Sequence, residues 1–383
     1  MSGVPKPKLV HPIPVDGLEL ELCRFGPETG GRSVLLLHGA SATRDTFLVP
    51  DGGLVRYLGE RGHDVWTLDW RGSGRIVDRL LRCPPRGSRQ DEYRCFTLDR
   101  VASADIPLAL AAVRERNGGK SIAVVAHCFG SGACAVAIAQ GNLASVHSVV
   151  LSTLGLFYEA PWDGWIKAED FVLERILTHA PECRAIDPRR LAEWPRDMRQ
   201  AYELYPRSWL PAGHAEADEI LRRLTFMFGQ PYPPEVLAPD IHGPRLSELF
   251  GAMHVGLYLH AGQMVRRGFA APFDEPDVID RKPTRAHAEG PKQPSDAWPP
   301  PKSYLDPAPF RDKRITLLTG TENRLWHRDS IDLMFEWLMN EARPSAAGAR
   351  PVRHVLRGYA HQDLYWGRYA ERDVYPIVAD ALA

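Results

Sequence analysis

The chain has 383 residues, 44% of them hydrophobic and 25% charged, with a formal net charge of -1 at pH 7. That length suits one core carrying a large insertion, and the near-neutral balance excludes a dense basic face for nucleic acid or an anionic membrane. No apolar run is long enough to span a bilayer, and the start, MSGVPKPKLVHPIPVDG, lacks the apolar centre of a signal peptide, so cytoplasmic residence without stable membrane insertion is expected.

An opening strand is expected around Leu18 to Arg24, followed by a buried strand over Ser33 to Gly39 (SVLLLHG) that ends in His38-Gly39-Ala40-Ser41. Asp64 to Asp69 (DVWTLD) is a second buried strand, and its exit, Asp69-Trp70-Arg71-Gly72, shapes a turn. The segment Ser121 to Cys134 (SIAVVAHCFGSGAC) then runs from a β-branched strand into a sharp turn of small residues, with Cys128 at its apex and a helix just after it. Such a turn needs small neighbours, here Ala126 and Gly130, because strand and helix start pass within contact distance. A thiol at the start of a helix lies near the positive end of the dipole, which is expected to lower its pKa and favour the nucleophilic thiolate. His127 beside it is expected to face the pocket wall or bond to a neighbouring loop, and Cys134 to pack.

The alternation of strands and helices continues to VHSVVLST, which ends at Thr153. Helical patterns then dominate from Trp165 to Gly268, with amphipathic runs at Ala168 to His179, Ala215 to Phe228 and Leu246 to Arg267. Pro272 to Pro309 is rich in Pro, Asp and Lys and reads as an irregular, partly mobile return. Strands resume at Arg314 to Gly320 (RITLLTG), which opens onto Thr321-Glu322-Asn323-Arg324. They end at Pro351 to Arg357 (PVRHVLR), followed by Gly358-Tyr359-Ala360-His361.

A nucleophile, then an acid position, then a histidine after the last strand is the chain order of an α/β-hydrolase. The runs LLLHGAS at Leu35 to Ser41, AHCFGS at Ala126 to Ser131, TGTEN at Thr319 to Asn323, GYAHQDLYWG at Gly358 to Gly367 and DVYP at Asp373 to Pro376 carry the likeness. The chain resembles the α/β-hydrolase superfamily, in particular the branch of domains fused to cholesterol-oxidase-like (GMC) flavoproteins, and more loosely the acid lipases. The resemblance implies a mostly parallel central sheet flanked by helices with a large helical lid insertion: residues 1–154 as the N-terminal part of the core, 155–311 as the lid and 312–383 as the C-terminal part. It departs from the wider pattern at the acid position, where spacing would put an Asp at Asn323 and Glu322 stands next to it. Either could orient the imidazole, and Asp363, two residues after the histidine, is a third candidate that more naturally braces its loop.

The expected chemistry is acyl transfer. Cys128 attacks an ester or thioester carbonyl, His361 takes and returns the proton, and the amides of Ala40 and Phe129 hold the oxyanion. Aromatic residues of the insertion, Phe157, Tyr158, Trp162, Trp165, Phe171, Phe226, Phe228, Phe250 and Tyr258, supply apolar surface to roof a pocket, which favours a hydrophobic lipid-like or polycyclic acyl substrate, free, carrier-bound or as a CoA thioester. Two competing readings remain open: an acyltransferase that passes the acyl group to an alcohol or amine, as polyhydroxyalkanoate synthases do from a cysteine elbow with a second glycine where Ser131 stands here, and a catalytically silent domain that binds a hydrophobic ligand. The six cysteines, Cys23, Cys83, Cys95, Cys128, Cys134 and Cys183, show neither close pairs nor metal-like spacing with histidines, so no disulfide framework, metal or cofactor is expected.

Overall fold

The computed structural model describes residues 5–26, 31–82, 89–170, 172–205, 219–238, 241, 244–273, 303–343 and 350–382. Among the described residues ten strands form in chain order: β1 (Leu9–Val15), β2 (Leu18–Arg24), β3 (Ser33–Leu37), β4 (Asp64–Asp69), β5 (Ile122–His127), β6 (Val146–Ser152), β7 (Ala185–Ile186), β8 (Met253–His254), β9 (Arg314–Gly320) and β10 (Val352–Leu356). Eight make one sheet in the order β1-β2-β4-β3-β5-β6-β9-β10, and β7 and β8 pair separately. Within the eight-stranded sheet pairing is parallel from β4 through β10 and antiparallel for β1 with β2 and β2 with β4, and β7 and β8 are antiparallel to each other.

The continuous apolar runs of β3, β5 and β6 follow from burial on both faces. Alternate residues serve opposite sides: Leu35, Leu37, Val124, Ala126, Val149 and Leu151 pack into one core cluster. Val34, Leu36, Ala123, Val125 and Val150 pack into the other. The strand edges expected at Leu18 to Arg24, Asp64 to Asp69 and Arg314 to Gly320 coincide with β2, β4 and β9. Strand β1 was not anticipated. It carries Pro12 and Pro14, which cannot donate to a ladder, and it survives because it is the edge of the sheet, paired on one side only with β2.

Between β6 and β9 the chain departs from the expected helix boundaries. The run expected at Ala168 to His179 is two helices, Trp162–Glu169 and Val172–His179. The run expected at Ala215 to Phe228 is described from Glu219 to Phe228, and its beginning lies outside the described residues. The long run expected at Leu246 to Arg267 is broken into Pro244–Leu249 and Val255–Arg267. The break has a cause in backbone pairing: Gly251 N–H donates to the Ser41 carbonyl at 2.7 Å, Ser41 Oγ donates to the Gly251 carbonyl at 2.6 Å, and Met253 and His254 pair with β7. Those groups are committed across the chain and cannot serve an i→i−4 ladder. Most of the return expected at Pro272 to Pro309 lies outside the described residues. Among the described residues no helix is long and apolar enough to cross a membrane.

Candidate active site

Strand β5 delivers Cys128 to the turn before helix Phe129–Ala139, with φ 56° and ψ -128°. A non-glycine residue in that region stores roughly 1–3 kcal/mol of backbone strain. Neighbouring structure holds it there: Cys128 N–H donates to the Ser152 carbonyl at 3.0 Å, and the Cys128 carbonyl accepts from Gly132 N–H at 3.0 Å. Gly130 is required by contact, because a Cβ there would stand 2.4 Å from the His38 carbonyl oxygen. The loop after β3 therefore runs directly against the first turn of the helix.

The Cys128 side chain is 7% exposed and opens on a cavity of about 180 Å3. On the side of the core, the cavity wall includes Gly39, Ala40, Cys128, Phe129, Trp326 and His361. The cysteine, the histidine and both residues expected to supply oxyanion amides thus share one chamber. Opposite them stand residues of the segment between β6 and β9, among them Leu173, Ile176, Phe228, Tyr258 and Val265.

The electrostatics differ from the expectation of a ready thiolate. Burial pushes the Cys128 thiol up to about 12, outweighing hydrogen bonding from the Phe129 amide and the Trp326 side chain, both of which favour the anion. The dipole argument fails here because desolvation at a nearly closed site is the larger effect. Burial likewise holds His361 well below its ordinary value, with His127 adding to the depression. The resting site is a neutral thiol beside a neutral imidazole.

His361 follows β10 and is 1% exposed, and neither ring nitrogen has a hydrogen-bond partner. No hydrogen bond joins it to Cys128 or to any of the three residues considered as its orienting group. Glu322 is exposed, and its carboxylate accepts the Thr321 hydroxyl at 3.1 Å, so it faces away from the buried imidazole. The Oδ1 of Asn323 accepts the amides of Leu325 and Trp326 at 3.1 and 3.3 Å, while its buried Nδ2 is unpartnered. Asp363 accepts the Ala360 amide at 2.9 and 3.0 Å and braces the loop that carries the histidine. Burial raises the Asp363 carboxyl to about 7.

What touches His361 is His127, with ring centroids 4.6 Å apart. His127 is fully buried; its Nε2 lies 2.7 Å from Gln362 Oε1 and its Nδ1 3.2 Å from Ser152 Oγ. Burial lowers it to about 3, so it is neutral, donating through Nε2 to the amide oxygen and accepting the serine hydroxyl at Nδ1. Sequence reasoning missed Trp326 and Gln362. Trp326 packs edge-on against Phe129 and Tyr158 at 5.6 and 5.5 Å. Its signal was its position, three residues past Asn323 in the loop after β9. Of the aromatics expected to roof the pocket, Phe226, Phe228, Phe250 and Tyr258 line it, whereas Trp162 is 72% exposed and stacks on Trp165, and Phe171 lies outside the described residues. Among the described residues no cluster of His, Cys, Asp and Glu could hold a metal ion.

Sheet order, elbow and the histidine after the last strand define the α/β-hydrolase fold. Residues 32–184 match the family described as alpha/beta hydrolase fold. The chain is 30% identical over 125 residues to gastric triacylglycerol lipase of Homo sapiens, which is 30% of each protein, and 30% identical over 101 residues to human Lipase member K, 26% of this chain and 24% of that one. It thus spans about a quarter to a third of the length of these relatives. Among solved structures, a thermostable carboxyl esterase from Bacillus coagulans in complex with glycerol superposes with a TM-score of 0.55 at 12% identity, over 98% of this chain and 96% of that one.

Proposed function

We propose that this protein is a hydrolase of esters or thioesters with a hydrophobic acyl group, acting through an acyl-Cys128 intermediate. The observation that carries the reading is the strained elbow that presents Cys128 to the same apolar cavity as an imidazole with both nitrogens free. His361 at rest is a neutral base, so it can take the thiol proton as sulfur attacks the carbonyl carbon. The leaving group departs with that proton, and water, deprotonated by His361, then cleaves the acyl-sulfur bond to release the acid. The Phe129 amide and the Ala40 amide hold the oxyanion in both steps, and the segment between β6 and β9 acts as a lid that excludes water. Asn323, Glu322 and Asp363 make no bond to His361 here, so the imidazole is oriented by packing against His127.

The partial likeness to lipases supports a lipid-like substrate, and the resemblance read from the sequence motifs to domains fused to cholesterol-oxidase-like flavoproteins extends the proposal to polycyclic esters. Delivery as a CoA or carrier thioester is compatible with a sulfur nucleophile, because acyl exchange between thioesters is close to isoenergetic. A second reading is favoured by a specific observation: the thiol is held protonated and makes no hydrogen bond to His361, as a silent ligand-binding domain would allow. A panel of aryl esters and acyl thioesters of increasing chain length, assayed with and without an added alcohol, separates the readings. Acid release marks hydrolysis, ester formation at the expense of acid marks acyl transfer, and turnover indistinguishable from Cys128→Ala marks the silent domain.

A further inference from the structure

In the cavity wall Glu174 is out of keeping with the hydrocarbon around it. Glu174 is 8% exposed, lines the chamber among Leu173, Ile176 and Val265, and is paired with Arg266 on the facing helix, Nη1 to Oε1 at 3.2 Å. Arg266 Nη1 also donates to the Ala168 carbonyl at 2.7 Å. Burying such a pair gains little stability over apolar residues of the same volume, because desolvation offsets the attraction. Gly262 shows how the pair meets the cavity. It lines the wall, and a Cβ there would stand 3.8 Å from Glu174 Oε1, so the missing side chain leaves the carboxylate uncovered toward the chamber, with Arg266 Nη1, outside the wall, 3.3 Å from the same point. Glycine in the middle of helix Val255–Arg267 is otherwise unfavourable relative to alanine. The other charged residue of the wall, Lys167, is already engaged with the Phe226 carbonyl at 3.1 Å and Asp163 at 3.6 Å.

We propose that Glu174, uncovered at Gly262 and balanced by Arg266, forms a polar subsite that takes a hydroxyl group carried by the acyl substrate at a distance from the scissile carbonyl. A neutral hydroxyl fits better than an ammonium, because Arg266 already balances the carboxylate, and better than a second carboxylate, which Glu174 repels. The hydroxyl donates to the carboxylate, and the remaining substrate surface is served by hydrocarbon. This inference rests on the cavity being the acyl pocket of the proposed hydrolase, and its test is independent of turnover.

Binding is measured calorimetrically for matched aryl alkyl ketones, which present the carbonyl but no leaving group, ending in either a methyl or a hydroxyl over a series of chain lengths. In the wild type one length shows a preference for the hydroxylated ketone, and the ratio of the two dissociation constants falls about tenfold in Gly262→Ala and in Glu174→Met. Gly262→Ala asks only the flexible end of Arg266 to give by a few tenths of an ångström and adds a better helix former, so it is expected to melt no lower than the wild type and guards against misfolding as the cause. No preference at any length, or a preference that persists in Gly262→Ala, overturns the subsite. Discrimination between ketones without hydrolysis of any ester keeps the subsite and sinks the hydrolase reading; ester hydrolysis without discrimination does the reverse.

Discussion

At Cys128, burial and reactivity pull against each other. With the thiol held near 12, the thiolate is scarce at neutral pH, and the proposed mechanism requires nucleophilicity to be created when substrate brings sulfur and imidazole together. Alkylation of Cys128 by iodoacetamide at pH 7.5, set against a free cysteine of pKa about 8.5, is expected to be slower by about a thousandfold, with the rate still climbing above pH 9. A rapid, pH-independent reaction in the neutral range would show a preformed ion pair instead. The neutral imidazole has its own consequence: kcat/KM for an aryl ester stays level as pH falls through 6.5 and declines only where His361 protonates, well below its ordinary range. Trp326→Phe removes a group that favours the anion, and a fall of about threefold to tenfold in kcat/KM is expected with folding intact.

Elements place these residues, and their tolerances are set by close approach. Gly130→Ala drives a Cβ to 2.4 Å from the His38 carbonyl oxygen in a packed backbone crossing. A loss of about 3 kcal/mol or more, read by denaturant unfolding, is expected. In the histidine loop the buried Asp363 carboxyl lies near 7 when folded, above its unfolded value, so the folded chain binds the extra proton between roughly pH 4 and 7. That stabilisation is complete below the unfolded pKa and is lost as pH rises through 7. Asp363→Asn removes this component, on the order of 2–4 kcal/mol across the window, and flattens the fall in Tm that the wild type shows there. A wild-type Tm that instead rises over that window by the same amount in both proteins would contradict it. Strands with buried faces were legible in the sequence because β-branched runs have a single use, and β4 and β9 fall where the pattern put them. Helix ends between β6 and β9 were not, since hydrophobic spacing cannot register that the backbone of Gly251 is committed to Ser41. The elbow and the histidine loop were readable from small residues and chain order. The His127–Gln362 bond joins side chains 235 residues apart and the raised thiol follows from tertiary burial, neither of which spacing carries, whereas the capping role of Asn323 is local, its Oδ1 accepting the amides of Leu325 and Trp326.

Among the described residues a mostly parallel sheet buried on both faces carries the candidate site after its strands, and residues from between β6 and β9 line the same cavity. In the proposed hydrolase that arrangement assigns specificity to the segment between β6 and β9 and chemistry to the core. Replacing its apolar wall residues is therefore expected to raise KM for long acyl chains while leaving kcat for acetate esters unchanged, with Phe228→Ala costing about tenfold in KM for a long-chain ester. Equal losses for short and long esters would place Phe228 outside the acyl path. The central claim is that sulfur carries the acyl group. The most direct measurement is intact and peptide mass analysis of the protein quenched in acid during turnover of an aryl ester: the account predicts one acyl group on the peptide containing Cys128, absent together with turnover in Cys128→Ala. Undiminished ester hydrolysis by Cys128→Ala would contradict it.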